Sequence, residues 1–231
     1  MYQLLVLAVI GLNASLAQAG IALGQTRLVY PQGASSQSVT MRNTEATFYL
    51  VEAAVTDWVS NKPVSAFSVL PPLFRLEGNG ENVIRVVRTG GDLPQDRESI
   101  FRFRVNAIPG RPGEISAPSE NGTQLAISLG MGIKLFYRPE GLKMKPVEAY
   151  RSITFTREEH DVVVKNPTPY YLTFATLLLG REKVEMEGDA SMLAPFSESR
   201  YASPGRKGEQ ATWSFINDYG GVSDDYHALI H

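Results

Sequence analysis

Cysteine is absent from this sequence, which excludes a disulfide framework, a thiolate-held metal and a cysteine nucleophile together. Histidine is scarce. Of the three present, His227 and His231 stand four apart, a spacing that suits a metal on a helix. They fall in a C-terminal tail that reads as strand or coil with no third ligand nearby, so a solvated tail is expected and no metal. No H-E-x-x-H, no G-x-S-x-G and no Gly-rich loop opening a helix occurs. The acidic neighbours Glu158-Glu159 and Asp224-Asp225 would point to opposite faces of a strand and cannot work as catalytic pairs. The chain is therefore not expected to be an enzyme, to hold a cofactor or to bind a small-molecule substrate. A formal charge of −2 without any polybasic run gives no electrostatic case for nucleic acid or an anionic membrane. Also missing are any sustained 3.6-residue apolar stripe and, beyond the first nineteen residues, any transmembrane candidate.

What is present reads as strand. "FYLVEAAVTDWV", "NVIRVVRT", "SIFRFRVNAI", "DVVVKN", "YYLTFATLLL" and "ATWSFIND" are rich in β-branched and aromatic residues and bounded by turn formers. In "FRFRV", Phe101, Phe103 and Val105 alternate with Arg102 and Arg104, so one face is buried and one wet. Many short strands between Gly, Pro and Asn turns predict an all-β protein of immunoglobulin-like sandwiches. The uncharged leader "MYQLLVLAVIGLNASLAQA" has an apolar stretch from Leu4 to Leu12 and a small-x-small end. It predicts a secretory signal peptide, residues 1–19, cleaved near Ala19-Gly20. The strand pattern breaks at "YRPEGLKMKP". That break predicts an N-terminal domain over 20–138, a linker over 139–145 and a C-terminal domain over 146–231, each of one-sandwich size. An exported chain without disulfides must then stand on core packing.

One stretch poses a particular question. In "TQLAISLGMGIKLFYRP", Thr123 to Pro139, the odd positions Leu125, Ile127, Leu129, Met131, Ile133 and Leu135 are all apolar. The even ones are mostly small or polar, with one lysine, Lys134. The apolar face either packs on this domain's own core or waits for another chain. Lys134 either reaches to solvent or serves a site. By parity it faces away from Leu125, so contact of both with one partner is expected to need a twist, bulge or bend, for which Gly130 and Gly132 give room.

Six segments in order carry a resemblance: "TRLVYP" (Thr26–Pro31), "PPLFRLE" (Pro71–Glu77), "LPQDRESIF" (Leu93–Phe101), "IKLFYRP" (Ile133–Pro139), "NPTPYYLT" (Asn166–Thr173) and "INDYGG" (Ile216–Gly221). With the leader and the missing cysteine pair, the chain resembles the periplasmic pilus-assembly chaperones of the PapD-like family, in its short-loop branch. The resemblance implies two immunoglobulin-like domains set in an L with a cleft between them. It implies periplasmic chaperone work: binding pilus subunits, adhesin included, by lending a strand to their incomplete sandwich, keeping them from aggregating, and delivering them to an outer-membrane usher. It leaves room for a self-capping dimer of the free protein. The lending strand is then 123–137, with Leu125, Ile127 and Leu129 entering the subunit's groove. Residues two apart on a strand are about 6.5–7 Å apart, and each such side chain contributes roughly 1.5–3 kcal/mol when buried. Arg27 and Lys134 match the family's anchor for the subunit's C-terminal carboxylate, and Arg75, Glu98 and Asp218 match an ion-pair network between the domains. A pilus subunit or carbohydrate-binding module is the other reading of a secreted β-sandwich, although the disulfide and N-terminal donor segment usual in subunits are not seen.

Overall fold

The computed structural model describes residues 20–110, 128–203 and 206–231. The expected leader, and Leu125 and Ile127 of the expected lending strand, lie outside the described residues. The first half contains β1 (Ile21–Leu23), β2 (Arg27–Pro31), β3 (Gln37–Asn43), β4 (Tyr49–Asp57), β5 (Phe67–Leu70), β6 (Leu73–Leu76), β7 (Glu81–Arg88), β8 (Ser99–Pro109) and β9 (Leu129–Arg138). They form two sheets, ordered β1-β3-β7-β5 and β2-β9-β8-β4-β6. Every described strand pair is antiparallel except β2 with β9, which run parallel.

The alternation read in β8 holds: Phe101, Phe103, Val105 and Ala107 are buried, while Arg104 and Ile108 are exposed and Arg102 and Asn106 half-buried. The inward residues of both sheets, among them Tyr30, Val39, Met41, Val51, Ile84, Phe103 and Leu135, meet in one core. Each fully buried side chain of this size stabilises by roughly 1.5–3 kcal/mol.

After residue 138 the chain turns through a short helix, α1 (Pro146–Ala149), into β10 (Thr154–Glu158), β11 (Asp161–Asn166), β12 (Leu172–Leu179), β13 (Glu182–Lys183), a 3-10 turn at Gly188–Ser191, β14 (Met192–Leu193), β15 (Ser197–Ala202), β16 (Gln210–Phe215) and β17 (Tyr226–Leu229). One sheet is ordered β10-β11-β15 and the other β13-β12-β16-β17, with β14 also on β12. Their core is built from Phe155, Val162, Leu172, Leu177, Trp213 and Phe215 and shares no residue with the first. Trp213 is buried without penalty because its indole N–H donates to the Tyr150 carbonyl, 2.9 Å away. The C-terminal tail forms the edge strand β17, on which His227 is exposed and shares a hydrogen bond with the Thr212 hydroxyl.

Both halves close the end of a strand in the same way. Buried Asn43 donates its amide to the carbonyls of Thr47 and Glu77, and buried Asn166 donates to those of Tyr170 and Ala194. A buried amide so satisfied pins the turn to the next strand.

Candidate functional site

The site begins with the way β9 is flanked. β8 pairs with it throughout, Ala107 opposite Leu129 to Ser99 opposite Tyr137, without a shift in register. β2 joins its other side only from Arg27 opposite Lys134 onward. Among the described strands nothing pairs with that side over 129–133, so this stretch is an open edge whose outward N–H and C=O groups are free to bind another chain. Its inner face leaves the core by degrees. Leu135 and Ile133 are buried, Met131 is half-buried against the core, and Leu129 is 39% exposed.

Over the described stretch 129–137 the register with β8 is continuous, with no bulge. A strand laid beside this edge can be touched by Leu129 from one face and Lys134 from the other, so no bend is needed. Gly132 serves a different purpose. A Cβ on Gly132 would lie 3.3 Å from Cδ and 3.4 Å from Cγ of Arg102, so the missing side chain makes room for the Arg102 stem.

At the closed end of the edge lies a cleft of about 650 Å³, bounded by Arg27, Trp58, Arg102 and Lys134 from the first half and by Thr173 and Ile216 from the second. Arg27, only 8% exposed, crosses to donate from Nη1 to the Ile216 carbonyl at 2.8 Å, while its Nε is buried without a partner. Lys134 Nζ makes one long hydrogen bond, 3.4 Å, to the Thr173 hydroxyl, and lies over the Trp58 ring at 5.8 Å. Neither cation has a carboxylate within 4.0 Å among the described residues. Burial lowers the pKa of both, and for Lys134 the neighbouring charge of Arg27 adds to the effect. Two desolvated cations with spare donors are costly until an anion arrives, and a carboxylate is the group that suits them.

Below the cleft the halves are tied by a buried ion cluster. Arg138 Nε meets Glu98 Oε1 at 2.7 Å, and its two terminal nitrogens meet Asp218 at 2.6 and 2.8 Å. The second oxygen of Glu98 accepts from the Tyr171 backbone N–H at 2.9 Å, and the Glu98 N–H donates to the Pro169 carbonyl at 2.9 Å. Burial pushes the Glu98 carboxyl upward, against the pull of Arg138 and the Tyr171 amide. The two carboxylates keep Arg138 firmly charged despite its burial. Phe136, also buried, packs against Tyr171 across the same boundary, ring centres 5.8 Å apart.

The cluster corrects one expectation. Glu98 and Asp218 come together, but Arg75 does not join them. It lies on the edge strand β6, exposed, paired with Glu77 at 2.8 Å and stacked on Phe48 at 3.8 Å. Arg138 is the cation that bridges. Parity within β9 marks it: Lys134, Phe136 and Arg138 share a face, so the strand that carries Lys134 into the cleft carries Arg138 to the boundary.

Comparison with known proteins follows the same division. Residues 20–143 match the family model of the pili and flagellar-assembly chaperone, PapD N-terminal domain, and residues 148–227 that of the pili assembly chaperone PapD, C-terminal domain. The chain is 38% identical over 215 residues to the chaperone protein FimC of Escherichia coli (strain K12), covering 91% of this chain and 84% of that one. It is 32% identical over 214 residues to the chaperone protein HifB of Haemophilus influenzae, covering 88% and 86%. Among solved structures it is similar to the E. coli chaperone DraB, with 34% identity, TM-score 0.79 and coverage of 91% and 96%. It is likewise similar to the SafB chaperone crystallised with the Salmonella enterica SafA pilin, with 30% identity, TM-score 0.79 and coverage of 92% and 97%.

Proposed function

The chain belongs to the PapD family of pilus-assembly chaperones, and from that premise we propose how it holds a client: the open edge of β9 is lent to a pilus subunit whose terminal carboxylate is anchored by Arg27 and Lys134. The protein is a periplasmic chaperone for pilus subunits, not an enzyme, and neither a pilus subunit nor a carbohydrate-binding module. Its domains are read as 20–138 and 146–231 joined by 139–145, and the leader as cleaved near Ala19-Gly20 before the protein works.

One observation carries the reading. The unpaired stretch 129–133 ends where two uncompensated cations stand. Strand addition at such an edge uses main-chain hydrogen bonds that ignore side-chain identity, which suits a chaperone with several clients. The direction of the client follows from the cover given by β2. A strand whose carboxylate lies at Arg27 and Lys134 can extend only toward Leu129, because β2 fills the edge beyond Lys134. It therefore runs parallel to β9. The anchor sets its register, which apolar alternation alone leaves open to two-residue slips.

Co-purification of pilin subunits from periplasm tests this with wild type, Arg27→Ala and Lys134→Ala. Both variants are expected to stay folded by circular dichroism and to lose the subunit. Full retention of subunit by both would remove the anchor.

A further inference from the structure

The cleft has more positive charge than one terminal carboxylate needs. Besides Arg27 and Lys134 it is lined by Arg102 and Arg104, and none of its described lining residues is acidic. In a chain of net charge −2 this is a local concentration of one sign. Asp189, whose charge favours the Lys134 ammonium, makes no ion pair with it within 4.0 Å.

The two extra arginines differ in how they are held. The Arg102 guanidinium lies on the Trp58 ring at 4.5 Å and donates to the Asn61 side-chain oxygen. Arg104 is exposed and has no ion pair among the described residues. By register Arg102 is opposite Lys134 and Arg104 is opposite Gly132. All four positions are on the outer face of the sheet, the face that carries the Lys134 ammonium.

We propose that Arg104, backed by Arg102, forms a second acid-reading subsite, which takes a carboxylate side chain on the client residue lying beside Gly132. The inference rests on the anchoring proposed above. With the client parallel to β9 and its terminus at Lys134, the residue beside Gly132 is one strand repeat upstream, about 6.5–7 Å from the anchor. Neither Gly132 nor Gly130 puts a side chain of β9 between that residue and the arginines. The Arg102 stem already lies over Gly132, close enough that a Cβ there would have to displace it. The glycines thus open a path from the arginines on β8 across β9 to the added strand. Client residues immediately before and after this one face the other way and do not reach the subsite.

The test uses the purified full chain and synthetic peptides of alternating valine and threonine with a free C-terminal carboxylate. Single Asp or Asn residues are placed at each of the last positions, and binding is followed calorimetrically. One position is expected to favour Asp over Asn by about two- to five-fold, the size of an exposed ion pair, with its sequence neighbours indifferent. The preference should vanish in Arg104→Gln, persist in Arg104→Lys and shrink in molar salt. No Asp preference at any position, equal preference at all positions, or a preference surviving in Arg104→Gln would overturn the proposal. Inorganic polyphosphate displacing Asp and Asn peptides equally well would also overturn it, as a general anion patch. If a C-terminally amidated peptide binds as well as the free acid, the anchor itself is wrong. Lost Asp preference with amidation sensitivity intact sinks only the second subsite. No binding of any free-acid peptide removes both.

Discussion

Replacing Arg138 with methionine keeps an unbranched apolar stem and removes the charge on which the domain boundary turns. Glu98, whose side chain is 2% exposed, would then keep one backbone N–H and lose the one cation paired with it among the described residues. Breaking a buried pair by deleting one partner costs about 3–5 kcal/mol, most of it from the stranded charge. Asp218 is 34% exposed and can turn to water, so it adds little. For a chain of this length each kcal/mol moves the melting point by about 2–4 °C, which puts the Arg138→Met shift at about 6–20 °C. Differential scanning calorimetry of the first transition reads it. Arg75→Met is the control, since Arg75 is exposed and paired only with exposed Glu77, and surface changes of that kind stay within about 0.5 kcal/mol. Adding Glu98→Gln to Arg138→Met should recover more than half of the loss, because the stranded group is then neutral. Equal shifts for Arg138→Met and Arg75→Met, or no recovery in the double variant, would refute the view that this cluster joins the domains.

On β9, Leu129→Asp should leave the melting curve unchanged and abolish subunit capture, because the side chain is already 39% exposed at the open edge. Ile133→Asp, four residues along on the same face but 9% exposed, should unfold the domain, and matching behaviour of the two by thermal melt and pull-down would contradict the outward gradient. The pH response of Glu98 has a definite sign. Its folded pKa is raised by burial, so the folded state binds the proton first as pH falls. That contribution is fully present below the unfolded pKa and is lost as pH rises through the folded one. The melting point of wild type minus that of Glu98→Gln should therefore become more positive from neutral toward acid pH, and the opposite slope would mean Arg138 outweighs burial.

Local features were legible from the residues. Alternation placed the buried face of β8, and the turn-rich break near residue 140 separates the two cores the fold contains. What escaped was long-range or depended on absent atoms. Arg138 joins partners 40 and 80 residues away, and although parity puts it on the Lys134 face of β9, nothing in the sequence says that Glu98 and Asp218 will meet it there. Gly130 and Gly132 suggested a bulge, the common meaning of glycine within a strand. Gly132 instead clears space over β9 for the Arg102 stem from β8, a contact that the sequence does not show. The shared Asn43 and Asn166 turns were hidden too, since "NTEATFY" and "NPTPYY" agree at few positions while making the same bonds.

The parallel cover of β9 by β2 also separates self from non-self. Two copies of the chain meeting about a dyad would align their exposed ribbons head to tail, antiparallel, with the alternating bond spacing of such ladders. On the anchoring proposed above, a tethered guest would travel the other way, with evenly slanted bonds, and its tail would reach the cationic pair. A twin has no chain end to offer there. On the proposed anchoring, homodimers and loaded complexes would be rival geometries, and only the guest would bring a chain end to the cationic pair.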